Sequence, residues 1–283
     1  MTQSLTVSPF RRITLGKVLI WLLLIFTTFI ALFPMYWLFA NALTPILSNP
    51  PLTPVLIPAF SLSNFDRLVT QNKFYVQWMI NSLVVTLGVT VWHVIFDSLS
   101  GYAFAKRNFP LRNVFFWMIL STLMIPPQVT LIPVYLLAQN FEMLDTLWAL
   151  IVPGTAAVFG IFLMRQYIQT LPRELEEAAR MDGCSELEVF WRIILPLCKP
   201  ALATLAIFTF VRFWNDFLWP VVALNKPQNY TLTVGIANMQ GEFLTDWGII
   251  FSGAALSAVP MIVFFLAFQN YFLEGVRMGA VKG

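Results

Sequence analysis

The sequence predicts an all-α membrane protein with six transmembrane helices and both termini in the cytoplasm. Three observations carry that expectation. Hydrophobic residues make up 58% of the 283, charged residues only 11%, and mean hydropathy is +0.75, a composition of polytopic membrane proteins. Apolar runs approaching the ~20 residues a bilayer crossing needs recur at roughly 18–40, 79–105, 113–137, 147–164, 201–222 and 248–270. The basic residues are asymmetric. With the N-terminus inside, thirteen of the 17 Lys and Arg fall in cytoplasmic segments, Arg67, Lys73 and Lys226 fall outside, and Arg212 lies within a span. Positive residues gather on the cytoplasmic side in this way. The net charge of +3 follows from that topology and gives no reason to expect a nucleic-acid partner.

Taken in order, residues 1–15 form a polar, basic cytoplasmic tail, and 16–75 hold the first transmembrane helix and an outer (periplasmic) loop. The first apolar run is longer than a signal-peptide core, and no small-residue cleavage site follows it. It ends near Pro34-Met35-Tyr36-Trp37, whose aromatics suit the membrane interface. Pro45, Pro50, Pro51, Pro54 and Pro58 keep the start of the outer loop extended, and Leu62 to Arg67 read as a short surface helix. Residues 76–270 hold the remaining spans, and 271–283 form a cytoplasmic C-terminal tail. The short basic loop Lys106–Arg112 makes spans two and three antiparallel neighbours. Pro126-Pro127-Gln128 interrupts span three, as a packing kink or as the lining of a water-filled cavity. Residues 223–247, with Pro227, Gly235 and Gly241, form the last outer loop.

Several chemistries are excluded at this level. His93 is the sole histidine, so neither a catalytic triad nor a zinc cluster can be assembled. Cys184 and Cys198 both fall on the reducing cytoplasmic side, which argues against a disulfide. No G-x-x-x-x-G-K-[ST] string occurs, so the chain supplies no ATP site of that kind.

Residues 170–200 are the longest polar stretch. They predict two short helices joined by a glycine turn. Thr170 is a candidate N-cap and Pro172 suits a first turn. Glu174, Glu176 and Glu177 then sit near the positive end of the helix dipole. Ala178 and Ala179 leave a low surface for close approach. Gly183 fits a left-handed C-terminal residue, and Ser185 with Glu188 forms a capping box for the second helix. Leu187, Phe190, Trp191 and Ile194 predict a single apolar face, and Pro196 and Pro200 end the helix. On spacing alone this is either an amphipathic loop at the membrane surface or a docking surface for a soluble partner.

The string Glu177-Ala178-Ala179, Asp182-Gly183 and, nine residues on, Ile193-x-Leu195-Pro196 resembles the EAA loop of bacterial ABC importer permeases. Phe213-Trp214-Asn215-Asp216 and the closing Gly279-Ala280-Val281-Lys282-Gly283 are similar to the carbohydrate branch, of maltose and glycerol-phosphate type. The likeness runs from about residue 76 to the end. It implies an importer transmembrane domain over 76–270 in the bacterial inner membrane, with a cytoplasmic coupling-helix loop between helices four and five. The resemblance further implies a second permease subunit, two ATP-binding subunits and an extracytoplasmic solute-binding protein as partners. ATP and Mg would sit on the ATPase, and this chain would bind no cofactor. Glu177 would anchor the ATPase, Gly183 would set the angle between two lever helices, the last outer loop would reach the binding protein by position, and the tail from Gly275 would run along the ATPase.

Ionisable groups at bilayer depth face the bundle interior. His93 and Asp97, and Arg212 and Asp216, are each spaced i, i+4. Each pair could satisfy itself and fix packing. Alternatively Arg212, Asn215 and Asp216, with Trp214 and Trp219 nearby, line a solute path, because sugar hydroxyls want polar partners and sugar faces stack on aromatic rings. An ATPase-independent secondary transporter, a membrane scaffold and an importer of a non-sugar solute are the competing functions.

Overall fold

The computed structural model describes residues 15–45, 55–240 and 246–280, with side chains up to residue 269. The expectations for residues 1–14, for Pro50, Pro51 and Pro54, for Gly241 and for the side chains of the C-terminal tail lie outside the described residues. The described chain is helical, with no strand among the described residues.

Helix α1 spans Leu15–Ala42 and runs through Pro34 and the interfacial aromatics rather than stopping there. The surface helix is present as α2, Ser63–Gln71. Helix α3 spans Tyr75–Lys106. The third apolar run is not a straight crossing. Helix α4 (Arg112–Ser121) and a 3₁₀ turn (Thr122–Met124) meet α5 (Pro127–Asn140) at 102°. The cause is local: Ile125 and Pro126 are extended, as residues before a proline prefer, and Pro127 opens the new helix where its missing N–H costs nothing. The fourth run is α6 (Trp148–Gly154) and α7 (Phe159–Ile168), bent by 41°. Next come α8 (Glu174–Met181), α9 (Glu186–Glu188), a π turn (Val189–Ile194) and α10 (Leu195–Leu197). The fifth run divides into α11 (Lys199–Trp214) and α12 (Leu218–Ala223). A 3₁₀ turn (Pro227–Asn229), α13 (Leu232–Asn238) and α14 (Trp247–Ala280) complete the fold. Among the described residues, three helices are long and apolar enough to cross a membrane, or up to six if each bent pair is one span.

Helix α3 is the centre of the bundle. It packs on α7 and α11, α11 packs on α14, and α14 covers α1. A stripe of buried polar side chains runs along α3: Asn81, Ser82, Thr86, Thr90, His93, Asp97 and Ser98. His93 and Asp97 form the expected pair, Nδ1 to Oδ2 at 2.7 Å, and His93 Nε2 lies 3.0 Å from the Gly154 carbonyl. That carbonyl sits at the α6–α7 break, so the imidazole stands in for the N–H the bend removes. A carbonyl can only accept, so Nε2 carries a proton; two lone pairs could not face each other at 2.7 Å, so a second proton lies between the ring and Asp97.

The last outer loop folds back into the bundle over its described part. Leu232, Val234 and Gly235 are buried. A Cβ on Gly235 would fall inside the Trp78 ring, so only glycine lets α13 pass this close to α3. Trp78 Nε1 donates to Pro227 O (2.6 Å), Asn81 Nδ2 to Gln228 O and Tyr230 O (3.0 and 2.9 Å), and Leu232 N to Ser82 Oγ (2.7 Å). Asp145 accepts from the Asn225 and Lys226 N–H groups at 3.1 and 2.9 Å and pairs with Lys226 Nζ at 3.1 Å.

Candidate functional site

The polar stretch 170–200 folds as an elbow at the basic end of the bundle. Its first helix starts one turn later than predicted. Thr170 Oγ1 donates back to Tyr167 O in a turn that continues α7, Arg173 takes the cap position, and α8 begins at Glu174. The turn itself follows the sequence. Gly183 has φ +86°, Cys184 N donates to Ala179 O, and Gly183 N donates to Arg180 O, the paired bonds that close a helix with a left-handed glycine. The capping box is complete: Glu188 N donates to Ser185 Oγ (3.4 Å), and Ser185 N donates to Glu188 Oε2 (2.9 Å). Those two Ser185 donors, the N–H and the hydroxyl, hold the Glu188 carboxyl below its ordinary range.

The predicted apolar face of the second helix is only half right. Phe190 and Ile194 are buried together with Val189, whereas Leu187 and Trp191 are exposed. Leu187 and Trp191 share one face and Phe190 and Ile194 another, and the wider winding of the π turn brings Val189, five residues before Ile194, onto the buried one. The helix stops at Leu197, between Pro196 in its last turn and Pro200 in the first turn of α11. Ile193 and Leu195 pack against a cluster that includes Tyr102, Met164, Ile168, Ala179, Phe190 and Leu205.

The two adjacent glutamates point opposite ways. Glu177 is exposed and has no ion-pair partner among the described residues. Ala178 and Asp182 are exposed with it, while Ala179 turns inward, so only one of the two small residues contributes to the outer surface. Glu176 is 3% exposed. Its Oε2 accepts from Arg180 (3.0 Å), Tyr102 Oη (3.2 Å) and Arg107 (3.3 Å), and Lys106 Nζ lies 3.6 Å from Oε1. Glu186 pairs with Arg107 and, at 3.1 Å, with Arg180. The sequence reading missed this cluster. Its only signal was the Lys106-Arg107 pair at the end of an apolar run, some 70 residues earlier in the chain. A cleft of about 350 Å³ opens beside it, lined by Lys106, Arg107, Asn108, Arg173, Glu176, Glu177 and Arg180.

The second group of candidates divides as well. Trp214 is buried, stacks on Phe210 at 5.7 Å and donates to Ser257 O at 3.1 Å. Trp219 donates to Ala149 O at 2.8 Å. Both indoles are therefore tied into packing. Asn215 is exposed and donates to Val211 O at 2.8 Å, capping α11. The Asp216 carboxylate lies against the N–H groups of Phe217 and Trp219 at the start of α12. Arg212 is exposed, over the Phe213 ring at 5.5 Å. No ion pair joins Arg212 to Asp216 among the described residues, so this pair, unlike His93 with Asp97, does not close on itself.

Residues 98–278 match the family described as the binding-protein-dependent transport system inner membrane component. The chain is 36% identical over 274 residues to the arabinooligosaccharides transport system permease protein AraQ of Halalkalibacterium halodurans, covering 95% of this chain and 98% of that one. It is also 36% identical over 257 residues to the sn-glycerol-3-phosphate transport system permease protein UgpE of Salmonella typhimurium, covering 87% and 91%. Among solved structures, the fold matches a chain of a bacterial ABC transporter involved in the import of the acidic polysaccharide alginate, with a TM-score of 0.81 at 24% identity over 94% of this chain and 100% of that chain. A chain of the inward-facing MetNI methionine ABC transporter matches with a TM-score of 0.55 at 16% identity, over 71% and 95%.

Proposed function

This chain belongs to the family of inner membrane components of binding-protein-dependent transport systems, a multi-pass permease subunit rather than an enzyme, and on that premise we propose that it carries a sugar, glycoside or polyol. Relatives named for arabinooligosaccharides and glycerol phosphate support the solute class. In this reading α1, α3, the bent third and fourth runs, α11 with α12, and α14 make six spans. The basic end faces the cytoplasm, with both termini on that side.

The single observation that carries the mechanism is Glu177, exposed on the outer face of the elbow and without an ion-pair partner among the described residues. An unpaired carboxylate on a helix outer face, next to the small Ala178, suits a basic group of an ATPase subunit. Two such ATPases, one on this elbow and one on that of a second permease, would carry ATP and Mg. Their closure on ATP would bias the helical bundle between two states, while an outer binding protein delivers solute. Of the path candidates, Arg212, Asn215 and Asp216 remain at the α11–α12 break with polar groups to offer a hydroxylated solute, and Trp214 and Trp219 frame them.

Substituting Glu177→Lys tests the dock. Transport by cells carrying this variant should fall to background while the chain still inserts in the membrane. Affinity purification should then lose the ATPase and keep the second permease. Full uptake by Glu177→Lys, or retention of the ATPase, would sink the assignment.

A further inference from the structure

We propose that Glu176 is a positioning residue that makes the elbow and the end of α3 one mechanical unit, so that movement of the elbow reaches the centre of the bundle directly. The inference rests on the reading of the elbow as the ATPase dock. Covalently, the elbow is joined only to α7 and α11, and the end of α3 lies some 70 residues earlier in the chain. Glu176 bridges that gap. It is buried, and it gathers Lys106, Arg107 and Tyr102 from α3 together with Arg180 from its own helix. Lys106 Nζ also donates to Leu171 O at 2.6 Å, which ties the start of the elbow to the same point.

The same network braces the turn. Arg180 lies before Gly183 and Glu186 after it, and the two pair at 3.1 Å. Glu186 also pairs with Arg107. The two arms of the elbow are thus held to each other and to α3, and Gly183 sets a fixed angle rather than a moving hinge. A shared buried carboxylate suits this role. Once Glu176 is withdrawn, Lys106, whose side chain is 4% exposed, is left buried without a counter-charge, so the cluster holds one arrangement and resists intermediate ones. Helix α3 in turn packs on both α7 and α11. A displacement passed to α3 is therefore passed to the whole bundle.

The experiment uses the assembled importer in proteoliposomes with its binding protein, and reads solute uptake per ATP hydrolysed. For Glu176→Gln, hydrolysis should persist while uptake per ATP falls about tenfold, within the range of ordinary coupling free energies. Lys106→Met, on the other side of the bridge, should reproduce the fall. The double variant should add little to either, because one shared contact is being removed. An unchanged ratio in the single variants overturns the proposal, as does a lower yield of complex with a normal ratio, since a purely structural role predicts that result. If Glu176→Gln is not recovered, the ratio for Lys106→Met decides in the same way. Absence of ATP-driven uptake by the unsubstituted importer would instead defeat the importer reading itself.

Discussion

The two ends of the bundle hold their irregular segments by different means. At the basic end the elbow is held by full charges meeting full charges, Glu176 and Glu186 against Lys106, Arg107 and Arg180. At the opposite end the re-entrant loop is held chiefly by neutral side chains meeting backbone. Trp78, Asn81 and Ser82 of α3 take the main-chain groups of residues 227–232, and Asp145 takes two N–H groups of its neighbouring segment. Ion pairs fix side-chain tips and depend on each partner's charge. Bonds to backbone fix the path of the chain whatever side chains it carries. The main chain of residues 227–232 is therefore held by bonds that do not depend on its own side chains, whereas the elbow keeps its shape only with these particular charged residues.

The substitution expected to cost most is Glu176→Leu. It strands Lys106, whose side chain is 4% exposed, and should destabilise the chain by about 3–5 kcal/mol. Thermal unfolding in detergent measures it, and a neutral result would mean that packing, rather than charge, holds the elbow. Next is Gly235→Ala at the other end. The added methyl collides with the Trp78 ring, and overpacking of this kind costs about 1–3 kcal/mol. Tryptophan fluorescence should shift as the Trp78 bond to Pro227 breaks; an unchanged spectrum would show that α13 can move aside.

Asp145 sharpens the contrast, as a carboxylate that takes main-chain N–H groups as well as the Lys226 ammonium. Partial desolvation pushes its pKa up, but the N–H groups of Lys226 and Asn225 outweigh that and hold it down at about 2. A folded pKa below the unfolded value of about 4 contributes stability that is complete above pH 4. That contribution disappears as the pH falls from about 4 to about 2. Hydrogen exchange of residues 225–230 should quicken in that window, and Asp145→Asn should abolish the dependence. The smallest effect is expected for Gly183→Ala. A Cβ there meets nothing within 4 Å, so only the left-handed backbone resists it, at about 1 kcal/mol. A much larger loss would mean that the turn is strained as well as braced.

How legible each part was in the sequence follows from the range of the interactions involved. Hydropathy located the apolar runs, and local cap chemistry located Gly183 and the Ser185–Glu188 box, because those bonds join residues within a few positions. The pairing of His93 with Asp97 was legible for the same reason. Glu176 was not, because its nearest neighbour in sequence, Glu177, is chemically identical, and only partners on α3 tell the two apart. That Val189 rather than Leu187 joins Phe190 and Ile194 in the core depends on a π turn that periodicity cannot see. Trp214 and Trp219 looked like free aromatic platforms until their indole N–H groups met the carbonyls of Ser257 and Ala149. The loop at 223–247 read as outer from its place between apolar runs and from the basic-residue asymmetry; that α3 takes up part of its backbone was not legible, because the partners lie about 150 residues away.

The pairing of α1 with α14 bears on how the protein is made. None of the most apolar stretch of α1 is buried within the chain, and the helix it packs against is the last one in the fold. Roughly 200 residues separate the two, which at ordinary rates of synthesis is about 10–40 s of translation. For that interval α1 must stand in lipid without its partner. Its mean hydropathy of 2.5, the highest of the three long helices, fits a segment that inserts on its own and waits. A helix made early is thus among the last to find its place in the bundle.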